Sequence, residues 1–562
     1  MTDEAGEERP DAWWRNAVIY QIYPRSFADG DGDGVGDLAG VRQRLDHLAS
    51  LGVDALWFTP WYPSPMADGG YDVADYRGVD PLFGTLAEAE ELIEEARRRG
   101  LRTIVDVVPN HVSRDHPWFR AALAAPPGSA ERALFHFRPG RGPDGRLPPN
   151  NWVSEFGGPA WTRVTGPDGS PGEWYLHLFA PEQPDLNWAD PRVRAEHEAV
   201  LRFWLDRGVA GIRVDSATLL TKDPALPDLV PGRTPDPHPY ADRDDLHEIY
   251  RCWRRIADSY PGERLLVGEM WLSDPARLAR YLSGDELHTA FNFSFLQSPW
   301  DAERIRACID ATLESHEAVG APPTWVLCNH DVTRTVTRYG RADTSFDFAG
   351  KRHAVPSDLA LGTRRARAAC LLTLALPGSL YLYQGEELGL YEVEDLPADR
   401  LRDPMHVRSG GTDPGRDGCR VPMPWSGTAP PFGFAPDGTN PWLPQPAGWA
   451  SLTVAAQDGA PDSMLTLYRS ALALRRAATT RAGTPAGASA LRWIPAPTGV
   501  LAFGWGDGLL CVVNLTPRRP VPLPGGHTVL LASAPVDDGT LGPDTAAWLR
   551  AGGDDEPPSV VT

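Results

Sequence analysis

Short runs of aliphatic, aromatic and β-branched residues recur along the chain, at 18–23, 55–59, 102–107, 211–215, 265–268, 290–293, 324–327 and 380–383. Each is short enough for a buried strand, and helical stretches lie between them. The clearest helix opens on a capping box, Thr85 with Glu88 three positions on. It carries Leu86, Ala89, Leu92, Ile93 and Ala96 on one face, and Gly100 stops it. A second helix aligns Val193, His197, Val200, Leu201, Trp204 and Leu205 and ends at Gly208. Eight strands alternating with helices predict an α/β fold, a parallel (β/α)8 TIM barrel.

The alternation breaks after the third strand. Residues 110–190 are rich in Pro, Gly, Trp and Asn and are too long for a simple loop, which predicts an inserted subdomain there. A second irregular stretch, 390–451, follows the eighth strand. A helix over 463–476 then closes the barrel with Met464, Leu465, Leu467, Tyr468, Leu472 and Leu474. Short strands at 499–503 and 509–515 predict a C-terminal antiparallel β domain. The expected division is a first barrel part at 1–109, the inserted subdomain at 110–190, a second barrel part at 191–481 and the β domain at 482–562.

Composition narrows the function. The net charge is −21, from 75 acidic and 54 basic residues. A surface of that sign repels phosphate, which argues against nucleic acid and anionic lipid as partners and fits a neutral small molecule such as a sugar. Cys252, Cys308, Cys328, Cys370, Cys419 and Cys511 are scattered without a CxxC pair, the pattern of thiols in a reducing compartment rather than of a zinc site. The acidic N-terminus lacks the features of a signal peptide, and no apolar run reaches membrane-spanning length. The expectation is a cytoplasmic monomer or homodimer with no membrane partner. Among the 20 Trp and 15 Tyr, most are expected in the core and a minority as flat faces for sugar rings.

Barrel active sites form at the C-terminal ends of the strands. Asp215 ends GIRVD, Glu269 ends LLVGE, and Asp331 follows TWVLCNH, so three carboxylates are expected on one rim. A lone carboxylate at a strand end is usually a cap or a salt bridge. Three on one rim are the residue types that glycoside cleavage requires: one carboxylate attacks C1 and one carboxylic acid protonates the leaving oxygen. Arg213 lies two positions before Asp215, hence on the same face, where its fixed charge is expected to hold Asp215 ionised.

The segments DVVPNH (106–111), GIRVD (211–215), GEMW (268–271) and NHD (329–331), in this order, resemble the four signature regions of the α-amylase family, glycoside hydrolase family 13. QPDLNW (183–188), GDLAG (36–40) and GRDGCRVPMPW (415–425) resemble its bacterial α-glucosidase and oligo-1,6-glucosidase branch. The resemblance runs from about Trp13 to Leu531. It implies that Asp215 is the nucleophile, Glu269 the general acid/base and Asp331 the transition-state stabiliser. It implies that His111, Arg213 and His330 hold the glucose, that Asp68 and Tyr71 form the pocket bottom, and that Phe179 and Gln183 flank it. Arg420 is the candidate partner for Asp68, with Arg416 a close rival. Such a pair would seal the pocket behind the non-reducing glucose.

The run DGDGDGVGD places Asp29, Asp31, Asp33 and Asp37 at alternate positions, a spacing that resembles a calcium-binding loop. It is not an EF-hand, because the twelfth position is Gly40 rather than Glu. The resemblance favours a structural Ca2+ or Mg2+ with the Val35 carbonyl as a fifth ligand, and no organic cofactor. The expected activity is that of an exo-acting retaining α-glucosidase, acting on short α-glucosides through a covalent glucosyl–Asp intermediate. The resemblance implies a preference for α-1,4 over α-1,6 linkages, since Ser216 is small and polar where α-1,6-specific relatives often carry Val. A transglucosidase or a sucrose- or trehalose-isomerising enzyme would use the same intermediate.

Overall fold

The computed structural model describes residues 12–166, 169–348, 353–482, 491–505 and 508–551. Its largest sheet has eight parallel strands: β1 (Val18–Ile22), β2 (Ala55–Phe58), β3 (Arg102–Val107), β4 (Gly211–Val214), β5 (Leu265–Gly268), β6 (Thr289–Ala290), β7 (Thr324–Val326) and β8 (Ser379–Tyr383). The ladder runs β7-β8-β1-β2-β3-β4-β5-β6. Between its ends the Asn292 N–H donates to the Thr324 carbonyl at 3.1 Å, so the cylinder all but closes.

The sixth strand differs most from its expected span of 290–293. It has two residues, because Asn292 turns the chain into a helix: its side chain accepts the Phe295 N–H and caps Phe293–Gln297. The capping box at Thr85 forms and starts the helix Leu86–Arg98. The helix Pro191–Asp206 buries the six residues expected on its face. The closing helix, expected over 463–476, runs from Met464 to Ala482.

Strand alternation sorts the barrel core into two layers. Ile19, Trp57, Ile104, Val267, Val326 and Tyr381 fill the interior. Tyr20, Leu56, Val105, Ile212, Leu266 and Leu382 face the helices. The same alternation carries Gln21, Asp106, Arg213 and, just past β5, Glu269 inward above the apolar interior layer, so the top of the barrel is polar.

Between β3 and the helix Pro191–Asp206, the strands Phe137–Arg138, Trp161–Thr165 and Pro171–Leu176 form a small antiparallel sheet. Lys222, in the segment after β4, ties this insertion to the barrel. Its buried ammonium lies 2.7 Å from Asp185 and donates to Asn110 Oδ1 at 2.6 Å and to the Leu219 carbonyl at 2.7 Å. After the barrel, β9 (Leu491–Trp493), β10 (Val500–Trp505), β11 (Leu509–Asn514), β12 (His527–Ala532) and β13 (Thr545–Ala551) form an antiparallel sheet ordered β9-β10-β11-β13-β12. All six cysteines are free thiols. Among the described residues no helix is long and apolar enough to cross a membrane.

Candidate active site

Two arginine hubs organise the mouth of the barrel. The first is Arg213, buried over the Trp57 ring at 5.1 Å. Its Nη1 lies 2.8 Å from Asp106 Oδ1 and 2.8 Å from Asp215 Oδ1, and its Nη2 lies 2.8 Å from Glu269 Oε2. The Tyr71 hydroxyl donates to Asp106 Oδ2 at 2.9 Å. Backbone bonds set the candidate acid against the candidate nucleophile. The Glu269 N–H donates to the Val214 carbonyl, the Ala217 N–H to the Glu269 carbonyl, and the Ser216 N–H to Glu269 Oε2, each at 2.9 Å. Ser216 adopts a left-handed φ of 44° immediately after Asp215, where a side-chain-bearing residue is strained.

The second hub is Arg416. Its Nη2 meets Asp68 Oδ1 at 2.6 Å, its Nη1 meets Asp331 Oδ1 at 2.9 Å, and its Nε meets Asp403 Oδ2 at 2.5 Å. Arg420 is not the partner of Asp68. It donates to Asp331 Oδ1 at 3.0 Å and to the His330 carbonyl at 2.9 Å. The two arginines flank a 3-10 turn, Asp417–Cys419, and the turn aims Arg416 at Asp68 and Arg420 beneath His330. Asp403 was not among the residues expected here, since the irregular stretch that carries it offers no periodicity to read.

The remaining expected residues surround these hubs. His330 stacks on Tyr71 with centroids 5.2 Å apart and ring planes 6° from parallel. The Gln21 amide lies 2.7 Å from His330 Nδ1 and His330 Nε2 lies 3.3 Å from Asp331 Oδ2, which assigns the imidazole proton to Nε2. Gln183 donates to Asp68 Oδ2 at 3.0 Å. His111 lies 3.1 Å from the Tyr71 carbonyl, and Phe179 packs against it with centroids 4.9 Å apart. Phe156, Ala180 and Met405 form one cluster with Phe179, and Arg408 donates to the Gly157 carbonyl at 2.5 Å. The inserted subdomain and the stretch after β8 are thereby latched together beside Arg416.

Charge is distributed unevenly. Three carboxylates, Asp68, Asp331 and Asp403, share the two guanidinium groups of Arg416 and Arg420; three others, Asp106, Asp215 and Glu269, share Arg213 alone. Burial raises the cost of ionising Asp331, but His330 and the guanidinium groups outweigh it and hold that carboxyl well below the usual range. Burial holds the His330 imidazole well below its own range, against the opposing pull of Asp331. Around Arg213 the balance reverses. Burial raises Asp106 to about 7. Burial, with Glu269 and Asp106 nearby, raises Asp215 well above its ordinary value despite Arg213. Arg213 acts in the expected direction, favouring the ionised form of Asp215, but its charge is divided among three carboxylates. The balance around Arg213 therefore favours the protonated forms of Asp106 and Asp215, unlike that around Asp331.

In the acidic loop, one oxygen from each of Asp29, Asp31 and Asp37 lies within 4.8 Å of the others. This hard-oxygen set suits Ca2+ or Mg2+. Asp33 stands outside the group, exposed, and accepts the Val35 N–H at 2.7 Å. The loop is pinned to the stretch after β8: Asp29 N–H donates to the Phe434 carbonyl at 2.8 Å and Trp442 N–H to the Gly34 carbonyl at 2.9 Å. At Gly34, whose φ is +94°, a Cβ would stand 2.4 Å from the Asn440 carbonyl oxygen, so only glycine permits that approach.

Residues 21–483 match the family described as "Alpha amylase, catalytic domain", and residues 488–548 match a domain of unknown function, DUF3459. The chain is 39% identical over 491 residues to a probable alpha-glucosidase of Rhizobium meliloti (strain 1021), covering 83% of each protein. It is 37% identical over 495 residues to trehalose-6-phosphate hydrolase of Escherichia coli (strain K12), covering 83% of this chain and 84% of that one. Among solved structures, the alpha-glucosyl transfer enzyme XgtA aligns over 96% of this chain and 100% of its own, with a TM-score of 0.81 and 34% identity.

Proposed function

The chain belongs to the α-amylase catalytic-domain family, and from that premise we propose that it is an exo-acting retaining α-glucosidase releasing single glucose units from short α-glucosides. Asp215 attacks C1 while Glu269 protonates the departing oxygen. Water, activated by Glu269 as base, then releases glucose from the glucosyl–Asp intermediate with retention. Asp331, held ionised by Arg416 and Arg420, grips the sugar hydroxyls, and Tyr71, His111, His330 and Arg213 surround the ring.

The observation that carries the exo reading is the Asp68–Arg416–Asp331 wall, backed by the Phe156–Met405 latch. A terminal glucose can donate a hydroxyl proton to Asp68. A chain continuing through that oxygen has no proton to give and collides with the wall, leaving a buried charge unsatisfied. Maltotetraose should therefore yield glucose and maltotriose first; maltose as the dominant early product would overturn the proposal. The α-1,4 preference rests on the small polar Ser216 and is read from kcat/KM on maltose against isomaltose. Transfer of the same intermediate to a sugar hydroxyl is the alternative activity, and the similarity to XgtA favours testing for it. Longer products in the same chromatogram would reveal it.

The convergence of Asp29, Asp31 and Asp37 supports a structural Ca2+ or Mg2+, with the Val35 carbonyl as a further oxygen. Three carboxylates this close repel one another without a counter-ion. At a hundredfold excess over its dissociation constant such an ion contributes about 2.7 kcal/mol. Chelation should lower the melting temperature without altering the product pattern of the remaining enzyme. A melting curve indifferent to both chelator and added Ca2+ or Mg2+ would count against the site. Six free thiols support a cytoplasmic location, which cell fractionation checks, and sedimentation of the pure protein distinguishes monomer from homodimer.

A further inference from the structure

Glu269 is held differently at its two oxygens. Oε2 accepts the Ser216 N–H at 2.9 Å and lies 2.8 Å from Arg213 Nη2. Oε1 accepts one donor, the indole Nε1–H of Trp271, at 3.2 Å. Trp271 lies two residues beyond Glu269, past the end of β5, and its indole is clamped by aromatic rings. It stacks on Phe293 with centroids 3.8 Å apart and planes 9° from parallel, and it meets Phe348 edge-on at 4.7 Å. Phe293 belongs to the barrel-interior cluster with Trp57 and Phe291. Phe348 comes from the segment after β7 and packs on Phe346 at 5.2 Å. An aromatic residue in such a cluster is ordinarily packing alone. Here its single polar atom faces the candidate acid.

We propose that Trp271 is a positioning residue for Glu269, fixing which side of the carboxyl presents its proton to the leaving group. The inference rests on Glu269 acting as the general acid. With Oε2 occupied by two donors, the transferable proton belongs on Oε1. The Trp271 N–H takes a lone pair on one side of that oxygen, so the O–H bond points to the other. As the C1–O bond breaks, its electron pair stays with the glycosidic oxygen, which takes the proton from Oε1, while Asp215 bonds to C1. The Phe293–Trp271–Phe348 sandwich holds the indole, and with it the angle of transfer.

The test exploits leaving groups. Maltose needs the proton; α-D-glucosyl fluoride releases fluoride without it. Trp271→Phe keeps an aromatic ring against Phe293 and removes the N–H. Its kcat/KM for maltose should fall at least about tenfold, towards the roughly 10²-fold that small misplacement of a catalytic group costs. Its kcat/KM for α-D-glucosyl fluoride should stay within about twofold of the parent enzyme, since that step draws nothing from the acid. Equal losses on both substrates, or no loss on maltose, would overturn the proposal. If Trp271→Phe does not fold, Phe348→Leu loosens the clamp and should show the same selective loss in milder form; an unselective loss would again overturn it. Glu269→Gln run in parallel separates the two readings. If it spares maltose, the assignment of the acid fails. If it loses maltose while Trp271→Phe and Phe348→Leu do not, only the role of Trp271 fails.

Discussion

Replacing Asp215 with asparagine is expected to lower kcat by about 10⁴-fold or more, the scale on which a displaced nucleophile is missed, without unfolding the protein. The carboxylate is one of three that crowd Arg213. Removing one charge relieves repulsion between Asp215, Asp106 and Glu269, so the melting temperature should hold or rise. Azide should partly restore turnover of p-nitrophenyl α-glucoside by entering the face that the carboxylate vacates, and the product should be the β-glucosyl azide. In the parent enzyme the first glucose formed should be the α-anomer by NMR. Substantial residual activity in the variant, or β-glucose from the parent, would remove Asp215 from the nucleophile's role.

Arg416→Met is expected to damage both stability and activity, and more severely than Arg420→Met. Arg416 contacts Asp68, Asp331 and Asp403 at once, whereas among these carboxylates Arg420 closely contacts Asp331 alone, its nearest approach to Asp403 being 3.6 Å. Deleting Arg416 leaves Asp68 and Asp403 buried with their main counter-charge gone, a change that costs about 3–5 kcal/mol when one partner of a buried ion pair is removed. Asp331 keeps one arginine in either case, Arg420 when Arg416 is replaced and Arg416 when Arg420 is replaced. Adding Asp68→Asn to Arg416→Met should recover part of the lost stability, because it removes one stranded charge; neighbouring groups of this kind couple by about 0.5–3 kcal/mol. Urea unfolding of the four proteins measures this directly. Equal destabilisation by the two arginine substitutions would show that the division of labour between them is wrong. With the wall opened, Arg416→Met should also lose much of its kcat/KM on maltose, and any residual activity on maltotetraose should no longer start strictly from the end.

Much of this architecture is legible along the chain because it is encoded locally. Strand and helix periodicities involve neighbours two to four positions apart, and the capping box at Thr85 spans three. Once the strands are known to be parallel, their C-terminal ends must gather at one rim. The convergence of Asp215, Glu269 and Asp331 follows from that, as does the inward face shared by Arg213 and Asp215. The short sixth strand was less visible, since Phe291 and Phe293 read as strand until Asn292 is seen to cap a helix.

What only the tertiary structure decided is which charge answers which. Asp68 and Arg416 stand 348 positions apart, and no periodicity reaches that far. Arg416 and Arg420 differ in sequence by one turn and are chemically identical; the packing of that turn, anchored where Asp417 accepts the Arg402 and Asp403 N–H groups, sends one to Asp68 and the other beneath His330. The same holds for Arg213. Its position was readable, but its charge is divided among three carboxylates because β3, β4 and β5 are adjacent in the sheet. Coulomb interactions depend on distances through space and on exclusion of water, and those exist only after the chain has closed the barrel.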